Sequence, residues 1–199
     1  ERAGESRGAR VLDLACGTGD IAFEMARRGA SVTALDVTGR MLQLARARGR
    51  REGPGVRFVR GDMMALPLAG TCFDVVTIGY GLRNVPEIVP AIREIARVLK
   101  PGGLLLSLDF NRPAHPLVRG AYLAGLSVVG AAFGLLLHGD PDTYRYIPES
   151  IRRYPGGPGV AEILRREGFP DSRFLPILGG LMGLNVARRG SGAPGLESA

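Results

Sequence analysis

The sequence predicts an α/β protein, a mostly parallel β-sheet with helices on both faces. Three observations predict it. Short apolar runs rich in strand formers alternate with segments whose apolar residues repeat at helical spacing, over residues 11–110. A turn of small residues, 15–20, joins the first run to the first helical segment. Length and composition suit one ordinary domain, with 199 residues, 45% hydrophobic and 23% charged. Repeated strand–helix–strand units imply right-handed crossovers, with ligands expected beyond the carboxyl ends of the strands.

The elements follow in order. Residues 1–9 are a polar lead-in. "RVLDLA" reads as the first strand and "GDIAFEMARRG" as a helix stopped at Gly29. "SVTALD" is the second strand. "TGRMLQLARARGRRE" is a helix with Met41, Leu42, Leu44 and Ala45 on one side, broken by "GPG". "VRFVRGD" alternates as a strand, "MMALPLAGTC" loops, and "FDVVTIGYG" is a buried strand. "PEIVPAIREIARVLKPGG" is a helix with Pro86 near its start and a Pro-Gly-Gly stop, followed by the strand "LLLSLDF".

The pattern then changes. Residues 120–137 run for 18 positions without a charge, at the lower edge of membrane-span length. Glycines at 120, 125, 130 and 134 weaken an isolated helix and permit close packing. Three readings stand, in this order: a buried or interfacial helix that helps enclose an apolar ligand, a plain core helix, and a membrane span. "DPDTYRYIPESIRRYPGGPG" is loop-rich, and "GVAEILRREGF" is an amphipathic helix. "DSRFLPILGGLMGLNVARR" reads as two strands around a Gly179-Gly180 turn. A single domain therefore spans 1–189, and the small polar residues 190–199 form a disordered tail.

The net charge is +7, carried almost wholly by arginine; Lys100 is the lone lysine. A solvated surface, anionic lipid headgroups and nucleic acid all remain as explanations. Cys16 and Cys72 do not make a secreted disulfide framework and point to a reduced, cytoplasmic protein. His115 and His138 lack ligand neighbours at metal spacing, so no metal is expected. The chain opens on Glu1 without a signal-peptide pattern, and further N-terminal sequence is expected to precede it.

No lysine follows the glycines of "VLDLACGTGD", which argues against a phosphate-cradling loop. Ala22 stands where a dinucleotide fingerprint has its third glycine. The acids decide. Asp36 ends the second strand and suits ribose hydroxyls; Asp62 follows the third and suits an adenine amino group. Asp13 precedes the glycines and suits an ammonium. Three acids without a phosphate clamp suit a cationic, phosphate-free adenosine compound: S-adenosylmethionine fits, and NAD, with its pyrophosphate, fits less well, although some dinucleotide sites do carry alanine in that third place. Bland readings stand beside these: Asp13 or Asp36 as helix caps, and Asp62 as a strand-end turn.

"VLDLACGTGD", "ALDVTGRML", "GDMMALPLAGTCFDVVTIGYGLRNV" and "REIARVLKPGG" together resemble class I S-adenosylmethionine-dependent methyltransferases. "GYGLRNV", "LDFNRP" and "GDPDTYRYIPESIRRYP" are similar to the menaquinone/ubiquinone biosynthesis C-methyltransferase family, so the resemblance covers residues 10–189. It implies a Rossmann-like class I methyltransferase fold: a mostly parallel seven-stranded sheet, helices on both faces and a C-terminal antiparallel hairpin. It also implies a helical segment before the first strand that helps close the site. Family cofactor contacts fall on Thr18, Asp36, Asp62 and Met63, with Asp13, Gly17, Gly19 and Val37 in the same turns. Gly79 stands where some relatives carry a serine that touches the cofactor.

The implied reaction is methylation of a ring carbon of a prenylated hydroquinone, demethylmenaquinol first and a benzoquinol second. Arg83 is the candidate cation for a phenolate, or the group that orders a water as base. Asn84 is the candidate to fix the ring hydroxyl, Asp109 the candidate base, and Tyr144 and Tyr146 the candidate ring-pocket wall. Each has a structural alternative: a salt bridge for Arg83, a helix N-cap for Asn84, a strand end for Asp109 and packing for the tyrosines. His115 is a lesser candidate for proton transfer. Expected partners are the prenylated quinol, a membrane surface met peripherally and a second copy of the chain, without nucleic acid. Competing functions are methylation of another small apolar acceptor, a nucleic-acid methyltransferase, and an inactive S-adenosylmethionine-binding module.

Overall fold

The computed structural model describes residues 8–52 and 55–191. The expected lead-in, "GPG" break and tail lie largely outside those residues. Seven strands form one sheet: β1 Arg10–Leu14, β2 Ser31–Asp36, β3 Val56–Arg60, β4 Phe73–Gly79, β5 Leu99–Phe110, β6 Arg173–Ile177 and β7 Met182–Arg188. The helices are α1 Asp20–Arg27, α2 Gly39–Glu52, α3 Ile88–Val98, α4 Pro116–His138, α5 Tyr146–Arg153 and α6 Gly156–Arg166. Strand order is β3-β2-β1-β4-β5-β7-β6. β1 to β5 pair in parallel, and β7 enters antiparallel between β5 and β6. The order reverses between β1 and β4, which opens a crevice at their carboxyl ends.

Side chains alternate across each strand, so one strand feeds two cores. Leu12 and Leu14 pack with Ile78 of β4, Ile92 and Ile95 of α3, and Leu164 of α6. Val11 packs with Val32, Ala34 and, in α1, Ala22. Both faces are covered, as a parallel sheet requires. Asp13 shares the register side of Val11 and is 1% exposed.

Three expectations are corrected. The stretch read as loop contains α5, whose Pro148 and Ile151 are buried; a proline in the first turn breaks no hydrogen bond. The Pro-Gly-Gly stop does not end a helix. α3 ends at Val98, and Leu99 already pairs with Phe73 before a register break to Val75↔Leu104. Nor is the long apolar segment a core helix. α4 extends to 23 residues, yet only 11% of its most apolar stretch is buried.

α6 starts at Gly156, earlier than expected, because its glycines serve packing. The Phe174 ring occupies the space beside Gly157 and Gly183; a Cβ there would lie 1.9 and 2.0 Å from it. Gly157→Ala is expected to lower the unfolding free energy by about 1–3 kcal/mol through overpacking. Urea denaturation measures this, and a Phe174→Leu second change should restore part of the loss. Unchanged stability in the single variant would show that the ring moves aside freely.

Candidate cofactor site and acceptor cavity

The turn after β1 is tightly folded. Ala15, Gly17 and Gly19 all take positive φ, at 51°, 52° and 90°. Cys16 N–H donates to Leu35 O and Gly19 N–H to Cys16 O, which ties the turn to β2 and starts α1. Asp36 closes the arrangement. Its Oδ2 accepts from Gly17 N–H at 2.9 Å and its Oδ1 from Thr38 N–H at 2.8 Å. The bland helix-cap reading is thus half true. Asp36 does bond the start of the α2 segment, yet the same carboxylate also holds the glycine turn and lines a cavity.

That cavity, about 550 Å³, lies at the carboxyl ends of β1 to β4. It is lined by Gly17 from the turn after β1, Asp36 and Val37 at the end of β2, Asp62 and Met63 after β3, Tyr80, Asn84, Val85 and Pro86 after β4, and Tyr146 of α5. Asp62 is exposed and its Oδ1 accepts from Met64 N–H at 2.9 Å, so its Oδ2 remains available to a ligand. The "GYG" glycine has a steric reason. A Cβ at Gly81 would sit 2.5 Å from that of Ala15, so glycine lets the β4 turn close against the β1 turn.

A smaller cavity of about 130 Å³ is lined by Asp13, Cys16, Asp20, Ile21 and Gly79, and shares Ala15 and Tyr80 with the larger one. Asp13 Oδ1 accepts from Thr77 Oγ1 at 2.7 Å; among the described residues its Oδ2 is buried without a partner within hydrogen-bond distance, the Ala22 N–H at the start of α1 acting on the carboxylate more weakly than Thr77. Burial pushes the Asp13 carboxyl up to about 7 and the Cys16 thiol up to about 12, which leaves that thiol unreactive. Thr18 and Gly19 line neither cavity; Gly19 is the N-cap of α1.

Arg83 and Asp109 stand behind the cavity wall. Their side chains are each 3% exposed and pair at 2.7 Å. Arg83 Nη1 also donates to Tyr80 O at 2.7 Å, and Nε to Ser150 Oγ at 3.2 Å. The guanidinium lies 5.0 Å from the centre of the Phe110 ring. Asp109 Oδ1 accepts from Phe110 N–H and Oδ2 from Arg83 N–H. Burial raises its pKa against the pull of Arg83. With both oxygens engaged it is poorly placed as a base, and the structural salt bridge describes this pair. Asn84 caps no helix, since Glu87 precedes α3; its Nδ2 donates to Tyr80 O at 3.1 Å.

Sequence reasoning missed Tyr80, Thr77 and Ser150. Tyr80 takes a strained φ of 59°, packs its ring against that of Phe110 at a 45° tilt with centres 5.4 Å apart, and offers its carbonyl to Arg83 and Asn84. Residues that leave the common backbone regions cluster at functional sites. The sequence signal for Thr77 was a lone hydroxyl inside the apolar run "VVTIG".

A model of the ubiE/COQ5 methyltransferase family matches residues 1–189. The chain belongs to that family. It is 41% identical over 181 residues to the ubiquinone/menaquinone biosynthesis C-methyltransferase UbiE of Sinorhizobium fredii, covering 88% of this chain and 70% of that one. The UbiE of Azotobacter vinelandii is 38% identical over 190 residues, with 93% and 75% covered. The fold is that of a SAM-dependent methyltransferase from Aquifex aeolicus, with a TM-score of 0.66, 19% identity, and 94% and 85% of the chains covered. This member of the ubiE/COQ5 family is a SAM-dependent C-methyltransferase with S-adenosylmethionine as cofactor. The residues present suit that cofactor. The Asp13 Oδ2 is a buried acceptor for an ammonium, and among the described residues no lysine or arginine lines either cavity, as suits a phosphate-free ligand.

Proposed function

We propose that this chain methylates a ring carbon of a prenylated hydroquinone in menaquinone or ubiquinone biosynthesis, with demethylmenaquinol as the leading acceptor. One observation carries the reading: a single cavity brings the carboxylates of Asp36 and Asp62 together with Tyr80, Asn84, Pro86 and Tyr146. The carboxylates suit an adenosine and the second group a planar ring. The activity in the names of the UbiE relatives supports the acceptor class. The protein acts in the cytoplasm, at the inner face of the membrane that holds such acceptors.

In this reading Asp36 accepts from the ribose hydroxyls and Asp62 from the adenine amino group, with Val37 and Met63 against the base. Asp13 Oδ2 takes the ammonium, while Gly17 and Gly79 offer backbone at the amino-acid end; Thr18 and Gly19 shape the turn behind them without lining either cavity. When bound, S-adenosylmethionine supplies a sulfonium methyl already activated for displacement. The protein's task is alignment. The ring carbon becomes nucleophilic when its neighbouring hydroxyl, with a pKa near ~10 in water, gives its proton to solvent water; after methylation the same carbon gives up its own hydrogen as a proton to water, which restores the aromatic ring. Asn84, its amide held by Tyr80 O, keeps Oδ1 as a fixed acceptor for that hydroxyl. Tyr146 walls the ring. Arg83 and Asp109 position Tyr80 and α5 from behind.

Incubation with S-adenosylmethionine and either the naphthoquinol or the benzoquinol, read by mass spectrometry, tests this. The expected product carries one added methyl on a ring carbon of demethylmenaquinol. Asn84→Ala should lower kcat/KM roughly tenfold, the worth of one hydrogen bond to the reacting group. Methylation of neither quinol by protein that still binds S-adenosylmethionine would overturn the reading.

A further inference from the structure

We infer that α4 is a membrane-docking surface whose outward apolar face lies on an anionic lipid bilayer beside the acceptor cavity. The inference rests on the prenylated-quinol reading, since such an acceptor resides in lipid. α4 leaves the carboxyl end of β5, on the sheet edge that carries the cavity.

The face that α4 presents is inverted relative to a helix of a soluble core. Large apolar residues of an amphipathic helix normally point inward. Here small residues point inward: a Cβ at Gly130 would lie 3.2 Å from Tyr144 Cβ, and one at Gly134 would lie 2.4 Å from Asp140 O. Leu123 is buried against the protein, and most of the other large ones point out. Val128 is 70% exposed and Leu136 79%, with Leu117, Val129, Phe133 and Leu137 also exposed. A cluster of large exposed apolar side chains on one helix marks an interaction surface more often than a plain solvated one.

α4 lies along the protein instead of crossing a membrane. Near its start Tyr122 Oη donates to Leu181 O at 2.9 Å, and near its end the two glycines seat it on the α4–α5 connection. Both ends are therefore held on the same side, as in an interfacial helix.

Charge selects an anionic surface. No acid occurs over residues 116–139. Arg145 and Arg152 border the groove between α4 and α5, together with Asp142 and Glu149. Arg145 pairs with both acids, at 3.7 and 3.4 Å. Arg152 and the neighbouring Arg153 are exposed, and the chain carries +7 overall. Within the groove the two acids offset the two arginines, so the attraction to anionic headgroups rests on Arg119 of α4 and Arg153 of α5, and on the overall charge.

Flotation with quinol-free vesicles, of phosphatidylcholine alone or with phosphatidylglycerol, tests the inference. The protein should float with the anionic vesicles and release several-fold in high salt. Val129→Glu/Phe133→Glu should reduce flotation at least about tenfold, and Arg153→Glu several-fold. Both should keep S-adenosylmethionine binding and thermal melting, since the altered side chains are exposed. Absence of flotation, or flotation unchanged in both variants, would overturn it. So would a dimer in light scattering that the α4 variant dissociates, because a second copy would then cover the face. Quinol-free vesicles separate this test from the acceptor reading, which a short-tailed soluble quinol tests independently.

Discussion

Replacing Arg83 with methionine is expected to lower the unfolding free energy by about 3–5 kcal/mol, because it strands a buried carboxylate. Asp109 would keep two backbone N–H donors, from Phe110 and position 83, but lose the cation 2.7 Å away. Burial already raises the Asp109 pKa, and Arg83 is the main opposing influence. Without it the carboxyl moves further up. A folded pKa above the unfolded one means that the folded state retains a proton the unfolded chain releases. Stability then falls as pH rises from the ordinary aspartate range towards the raised value. The loss in Arg83→Met should therefore be larger at pH 8 than at pH 5, as read by urea denaturation. Arg83→Met/Asp109→Leu should recover much of it, since a dry pair costs less to remove whole than to break. A loss below about 1 kcal/mol at both pH values would mean that water reaches the pair.

Function should suffer by a separate route. Arg83 holds the Tyr80 carbonyl and, through Ser150, helix α5 with Tyr146. Loss of these contacts lets the acceptor wall drift while leaving Asp36 and Asp62 in place. Acceptor KM should therefore rise more than the cofactor Kd in a milder Ser150→Ala variant, and equal changes in both would contradict a positioning role.

The second large effect concerns Asp13. S-adenosylmethionine affinity should rise about tenfold between pH 6 and 8, the change in ionised fraction for a carboxyl with a pKa of about 7. An ammonium beside Oδ2 favours the charged form, so binding should release a proton. Calorimetry in two buffers of different ionisation enthalpy reads that release. The unliganded protein responds in the opposite sense. Because the folded pKa is raised from 3.8 to about 7, stability falls as pH climbs through that window, by at most about 4 kcal/mol. Asp13→Asn should abolish both slopes. The variant should be the more stable of the two at pH 8 without ligand, yet bind S-adenosylmethionine at least about tenfold more weakly, the loss of a charged hydrogen bond. Affinity independent of pH in the parent protein would show that Oδ2 does not meet the ammonium.

Much of this was legible in the chain because it is local. The alternation of "VLDLA", "SVTALD" and "FDVVTIG" with helical spacing reports the parallel sheet, since buried strands and amphipathic helices need different periodicities. The acids at 13, 36 and 62 can be read because a strand's carboxyl end is visible in sequence. Other features were not legible. α5 was hidden by prolines and glycines that mark loops on average, whereas here they fill first-turn and close-contact positions. Asp109 resembled a base from its place at a strand end. Only the fold shows Arg83, twenty-six residues earlier, lying against it.

By itself the sequence determined the α/β architecture, the acid-bearing turns and the apolar character of residues 116–138, because these follow from residue type and short-range spacing. The tertiary structure alone decided which oxygen of Asp13 lacks a partner, which charges neutralise each other, and which side of α4 faces out. Those are properties of desolvation and proximity, set by neighbours far away in the chain, and no local pattern encodes them.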